Sequence, residues 1–143
     1  MALEDKPVPT GNLTDAALVE AVRASLVDGK LRCARAHAVA AARGTTPQVV
    51  GLIADRLDVR LSRCQLGFFG YTNKQGFAES DVADRDVPDG LPEAIRACRN
   101  DEGDVSCAAL WQIAAQFRIP RMLVGYVSDQ MKVHVTPCQL GAF

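Results

Sequence analysis

Between residues 13 and 27 apolar side chains recur at Leu13, Ala17, Leu18, Ala21, Val22 and Leu26, the spacing of one helical face. Thr14 or Asp15 stands where a cap belongs, and Asp28-Gly29 breaks the pattern. Residues 31–33 form a short run suited to a strand. Residues 34–43 are rich in Ala, a strong helix former, and Gly44 is placed to stop that helix. Thr45 or Thr46 followed by Pro47 then opens a further helix reaching about Leu57, because hydroxyl caps and an early Pro both suit a helix start. Val59, Leu61 and Ser62 read as a strand, closing at Cys64-Gln65-Leu66-Gly67, where glycine permits a tight turn. The order is helix, strand, helix, helix, strand, and it restarts at Pro92.

The restart is a duplication. Residues 33–69 align without a gap on residues 107–143 at an offset of 74, with identities that include Cys33/Cys107, Val50/Val124, Gly51/Gly125, Asp55/Asp129 and Cys64-Gln65-Leu66-Gly67/Cys138-Gln139-Leu140-Gly141. Upstream, Glu20-Ala21-Val22-Arg23-Ala24 answers Glu93-Ala94-Ile95-Arg96-Ala97. The chain therefore divides into an N-terminal tail (1–12), a first repeat (13–70), an acidic linker read as a loop (71–90) and a second repeat (91–143).

The 143 residues carry 16 Lys+Arg and 17 Asp+Glu, so bulk charge does not hold this protein to nucleic acid. The charge is unevenly placed, however: residues 31–70 hold six Arg against Asp55 and Asp58. No apolar run reaches the roughly 18–20 residues of a membrane span, and the acidic, Pro-broken start does not resemble a signal peptide. A cytoplasmic protein with no membrane partner is expected. Its five cysteines, an odd number without a C-x-x-C pair, fit reduced thiols rather than a disulfide scaffold.

Val39-Ala40, Gly44-Thr45-Thr46-Pro47, Val50 and Ile53 resemble a helix-turn-helix in a winged-helix setting: a small residue where helices cross, a turn glycine, and apolar residues packing the second helix back. Ile113-Ala114, Ile119-Pro120, Val124 and Val127 take those places in the second repeat, with Arg118 where the turn glycine stood. The resemblance, to prokaryotic DNA-binding regulators, implies a mainly α (α+β) protein of two winged-helix-like repeats packed as a pseudo-twofold dimer. It implies DNA as partner and transcriptional control as function. Thr46, Gln48, Leu52 and Arg56 would then read bases, as would Arg121, Met122, Tyr126 and Gln130 in the second repeat. Arg32, Arg35, Arg43, Arg60 and Arg63 would meet phosphates.

The residues also support readings of another class. Both second helices are apolar around much of their circumference, the pattern of a buried helix. Gly51 and Gly125 sit inside them at matched places, where glycine costs about 1 kcal/mol against alanine. Close backbone approach explains that, and makes Gly51, Leu52, Gly125 and Tyr126 a repeat or subunit interface in an interaction module that binds a protein partner or a second copy.

The Cys-Gln-Leu-Gly turns are similar to those ending comparable units in prokaryotic proteins of unassigned role, and read as core-closing turns. Cys33 and Cys64, like Cys107 and Cys138, lie 31 residues apart. If the strand before Cys33 pairs with the strand ending at Cys64, four thiols can come together at a metal or iron–sulfur site; burial as small hydrophobes is the simpler expectation, and no cofactor is expected. His37 matches Trp111, which makes neither a repeated chemical element. No catalytic triad, phosphate loop or paired-carboxylate motif occurs, so no enzyme is expected.

Overall fold

Asp15 opens the first helix: its carboxylate accepts from the backbone N–H of Ala17 (2.9 Å) and Leu18 (3.3 Å). Helix α1 runs Ala16–Ala24 and buries Leu18 and Val22. The computed structural model describes residues 15–72 and 74–143, so the tail and the alternative cap Thr14 lie outside the described residues. Val27 and Lys30 then close a two-residue turn whose central residues, Asp28 and Gly29, both have positive φ (53° and 75°).

Strand β1 is Leu31–Arg32, and Cys33 is the first residue of helix α2 (Cys33–Ala42) rather than the end of the strand. Gly44, at φ 66°, ends α2. Thr46 caps α3 (Pro47–Arg56) by accepting from the Val49 N–H at 3.3 Å. Strand β2 (Leu61–Ser62) returns parallel to β1, with Leu31 opposite Leu61 and Arg32 opposite Ser62. The intervening helices make the crossover that parallel pairing needs.

The second half follows the same offset. Helix α4 is Leu91–Ala97, α5 is Cys107–Phe117 and α6 is Arg121–Gln130. A single parallel bridge, Val105 to Val135, stands where β1 and β2 pair in the first half. Arg118 ends α5 in the left-handed conformation (φ 55°, ψ 47°) that Gly44 adopts without strain. The described residues are thus mainly helical, six α-helices with a small two-stranded sheet.

Two features depart from the reading of the linker as a loop. Residues Phe77–Glu79 and Val82–Asp84 form 3-10 turns, and they bury Phe77 and Val82. Both side chains join the core of the second half beside Leu91, Leu110, Leu123 and Val124.

The core is arranged by exchange. Cys64 and Leu66, from the turn closing the first half, pack in the second half's core. Cys138 and Leu140, from the turn closing the second half, pack in the first half's core with Leu31, Ala36, Val50 and Ile53. Leu66 is fully buried and Leu140 nearly so. Each burial stabilises by roughly 1.5–3 kcal/mol, and each tightens the hold of one half on the other.

The helical glycines make the exchange possible. A Cβ at Gly51 would overlap the carbonyl of Leu140, and a Cβ at Gly125 would overlap the carbonyl of Leu66. Each glycine is the place where the other half's turn lies directly on a helix backbone.

Candidate functional site

Each Cys-Gln-Leu-Gly turn is held by the same two backbone bonds. Gly67 N–H donates to the Cys64 carbonyl (2.9 Å) and Cys64 N–H to the Phe69 carbonyl (3.1 Å). Gly141 donates to Cys138 (3.0 Å) and Cys138 to Phe143 (2.7 Å) in the second copy. Glycine serves this turn because both Gly67 and Gly141 sit at positive φ, 87° and 82°. The result aims backbone N–H groups at sulfur. Leu140 N–H donates to Cys138 Sγ at 3.3 Å, and the N–H groups of Leu66, Gly67 and Phe68 all act on Cys64.

The other two thiols start helices. Cys33 and Cys107 are the first residues of α2 and α5, where the helix dipole favours negative charge. The turns reach them as well: Gln139 Nε2 donates to Cys107 Sγ at 3.4 Å, and the Gln65 N–H near Cys33 favours its charged form. Strand pairing sets this up, because β1 ends immediately before Cys33 and β2 ends two residues before Cys64. All four thiols are buried and free, whereas Cys98 is exposed.

Charge on any of the other three would be felt by Cys33. Burial pushes the Cys33 thiol from its ordinary 9.0 up to about 12, with the neighbouring thiols adding to the rise and the Gln65 N–H opposing it. Cys64 and Cys107 are also raised, chiefly by burial, against the pull of the turn N–H groups and the Gln139 side chain. Without a cation Cys33, Cys64 and Cys107 hold their protons. Among the described residues no three Cys, His, Asp or Glu side chains are grouped to close on one metal ion. A tetrahedral zinc with Zn–S near 2.3 Å needs sulfurs about 3.8 Å apart.

One helical turn beyond Cys33 and Cys107, His37 and Trp111 stack with ring centroids 4.3 Å apart. Their Nε2 and Nε1 atoms are buried without a hydrogen-bond partner. Burial lowers the His37 pKa, and the nearby Arg121 charge lowers it further. Arg121 lies 3.6 Å over the Trp111 ring and donates to Gln65 Oε1 at 3.3 Å. These contacts bridge the halves and roof the region beside the thiols.

The residues expected to read DNA are dispersed by comparison. Arg35, Arg43, Arg56, Arg60, Arg63 and Gln48 are exposed and Arg32 is half-buried. The Thr46 hydroxyl is used as a helix cap, and Arg121 is engaged by Trp111 and Gln65. Helix α3 buries Val49, Val50, Gly51, Ile53 and Ala54, and α6 buries Leu123, Val124, Gly125, Val127 and Ser128. Met122 and Tyr126 are half-buried, and Gln130 is exposed. Of the residues expected at a repeat interface, Gly51 and Gly125 lie against the opposite half's turn. Leu52 lines an open groove, and Tyr126 packs edge-on to Phe77 at 5.4 Å. Gln65 and Gln139, repeated after each turn cysteine, are placed by the sequence to bond backbone within the turn; the Gln139 amide instead donates to Cys107 Sγ.

No known protein family, curated protein or solved structure matches the chain.

Proposed function

We propose that this protein binds an iron–sulfur cluster through Cys33, Cys64, Cys107 and Cys138. The observation that carries the reading is the pair of donors on sulfur, Leu140 N–H on Cys138 Sγ and Gln139 Nε2 on Cys107 Sγ, together with the placing of Cys33 and Cys107 at helix starts. Hydrogen bonds to sulfur stabilise a ligating thiolate and tune its cluster. Two ligands would come from each half, so a cluster would also fasten the halves together. Loading would release the thiol protons and would be favoured by rising pH.

The test is anaerobic purification followed by iron, sulfide and zinc analysis with visible absorption and paramagnetic resonance. Stoichiometric iron and sulfide, lost in Cys64→Ser and Cys107→Ser and kept in Cys98→Ser, is the expected result. Zinc alone, or no metal under reconstitution, overturns the cluster.

A second reading, DNA binding in transcriptional control, is favoured by one observation: among the described residues none of the six Arg of residues 31–70 is in an ion pair. Anisotropy with duplex DNA should then show binding that weakens steeply with salt, and less steeply after Arg35→Gln and Arg63→Gln.

A further inference from the structure

The duplication supplies a template for a surface that the described residues of the first half leave open. On α6 the chain itself covers the outer face. Gly76 N–H donates to the Gly67 carbonyl at 2.8 Å, and Gln75 Nε2 donates to Asp129 Oδ1 at 3.3 Å. Phe77 inserts against Tyr126 and Phe68, with centroids 5.4 and 6.1 Å away. At the same offset on α3 stand Asp55 for Asp129, Gly141 for Gly67, Leu52 for Tyr126 and Ala142 for Phe68. There the surface is a groove of about 710 Å³, floored by Leu52, Leu61, Phe69 and Phe143. The Asp55 carboxylate and the Gly141 carbonyl have no hydrogen-bond partner in it among the described residues.

We infer that the groove over α3 docks an extended peptide segment of a partner protein, one that presents a bulky aromatic side chain just after a backbone N–H and a polar donor. Gly141 would take the N–H, Asp55 the donor, and the space between Leu52 and Ala142 the ring. That space lacks the two aromatic rings present on the α6 side, so it accepts a larger side chain than Phe77. The rim sets the charge of the partner. Asp58 replaces Lys132, so Asp55 and Asp58 outweigh Arg60 and favour a basic segment. Recognition of this type takes affinity from backbone bonds and specificity from the side-chain pocket. The inference stands apart from the cluster, since no ligand thiol lines the groove.

The probe is a labelled peptide with the sequence of residues 74–84 carrying Phe77→Trp, Glu79→Lys and Asp81→Lys, titrated into the intact protein by fluorescence anisotropy. Saturable binding is expected, weakened at least about tenfold, or 1.4 kcal/mol, by Asp55→Lys. It should be abolished by Ala142→Trp, an exposed substitution that fills the groove, with circular dichroism confirming the fold. The unaltered peptide of residues 74–84 should bind more weakly. No saturable binding, or binding indifferent to both variants, overturns the inference. Self-association relieved by Ala142→Trp overturns it in favour of a second copy.

Discussion

Helices α3 and α6 occupy matched places, carry the same glycine and aspartate, and receive the same turn from the opposite half, yet among the described residues only α6 has its outer face finished by the chain. Gln75, Phe77 and Val82 close α6; α3 keeps Leu52 and Asp55 in an open groove. The inner faces show what the duplicated core requires. The outer faces show where the copies were free to diverge. The glycines and turns that each half lends the other are kept identical, whereas Gln75 and Phe77 serve α6 alone.

The largest test of that contrast is Phe77→Ala, which should destabilise the protein by about 3 kcal/mol in chemical denaturation. Leu52→Ala, on the groove side, should change stability by under about 1 kcal/mol. Equal losses would remove the distinction between a covered and an uncovered face. Next come Gly51→Ala and Gly125→Ala. Each should cost about 2 kcal/mol, because the obstructing atoms are backbone and cannot turn aside. Similar losses at both sites are expected from a reciprocal exchange, and tolerance at one alone would break it.

A pH series sharpens the comparison at the thiols. The Cys33 pKa is raised from 9.0 to about 12 on folding, so the folded protein holds a proton that the unfolded chain gives up. Stability of the metal-free protein should be constant below pH 9 and fall progressively between pH 9 and about 12. Cys33→Ser should flatten that decline. A flat wild-type curve would mean Cys33 is not held protonated by burial. The smallest effect is expected at the helix stops. Gly44→Ala should cost about 1 kcal/mol, since alanine resists the left-handed conformation. Arg118→Gly, which relieves the same conformation in the other half, should alter the midpoint only slightly and upward.

Much of the local structure was legible because it is written in single residues. Asp15, Gly44, Thr46 and Pro47 mark helix ends through capping chemistry that needs no tertiary partner. Gly51 and Gly125 pointed to close backbone approach because glycine is otherwise a poor choice inside a helix. What approaches them was hidden: a repeated turn fits either copy's helix equally well on sequence, and only three-dimensional packing assigns Leu140 to Gly51 and Leu66 to Gly125. The linker was misread as a loop for a different reason. Phe77 and Val82 sit on 3-10 turns too short to show periodicity, amid exposed acidic residues that look like solvated chain. At the candidate site the 31-residue cysteine spacing was visible. The N–H groups aimed at sulfur were not, because they belong to a backbone conformation rather than to side-chain identity.

The exchange of turns also orders events in time. As the chain is synthesised from its N-terminus, α1, α2 and α3 emerge with the helix backbone at Gly51 still bare, and the residue that covers it, Leu140, comes roughly ninety positions later. The second half, by contrast, finds Leu66 already made when its own helices appear. The first half is therefore the part that must wait, and it stays incomplete until the second has nearly all been delivered.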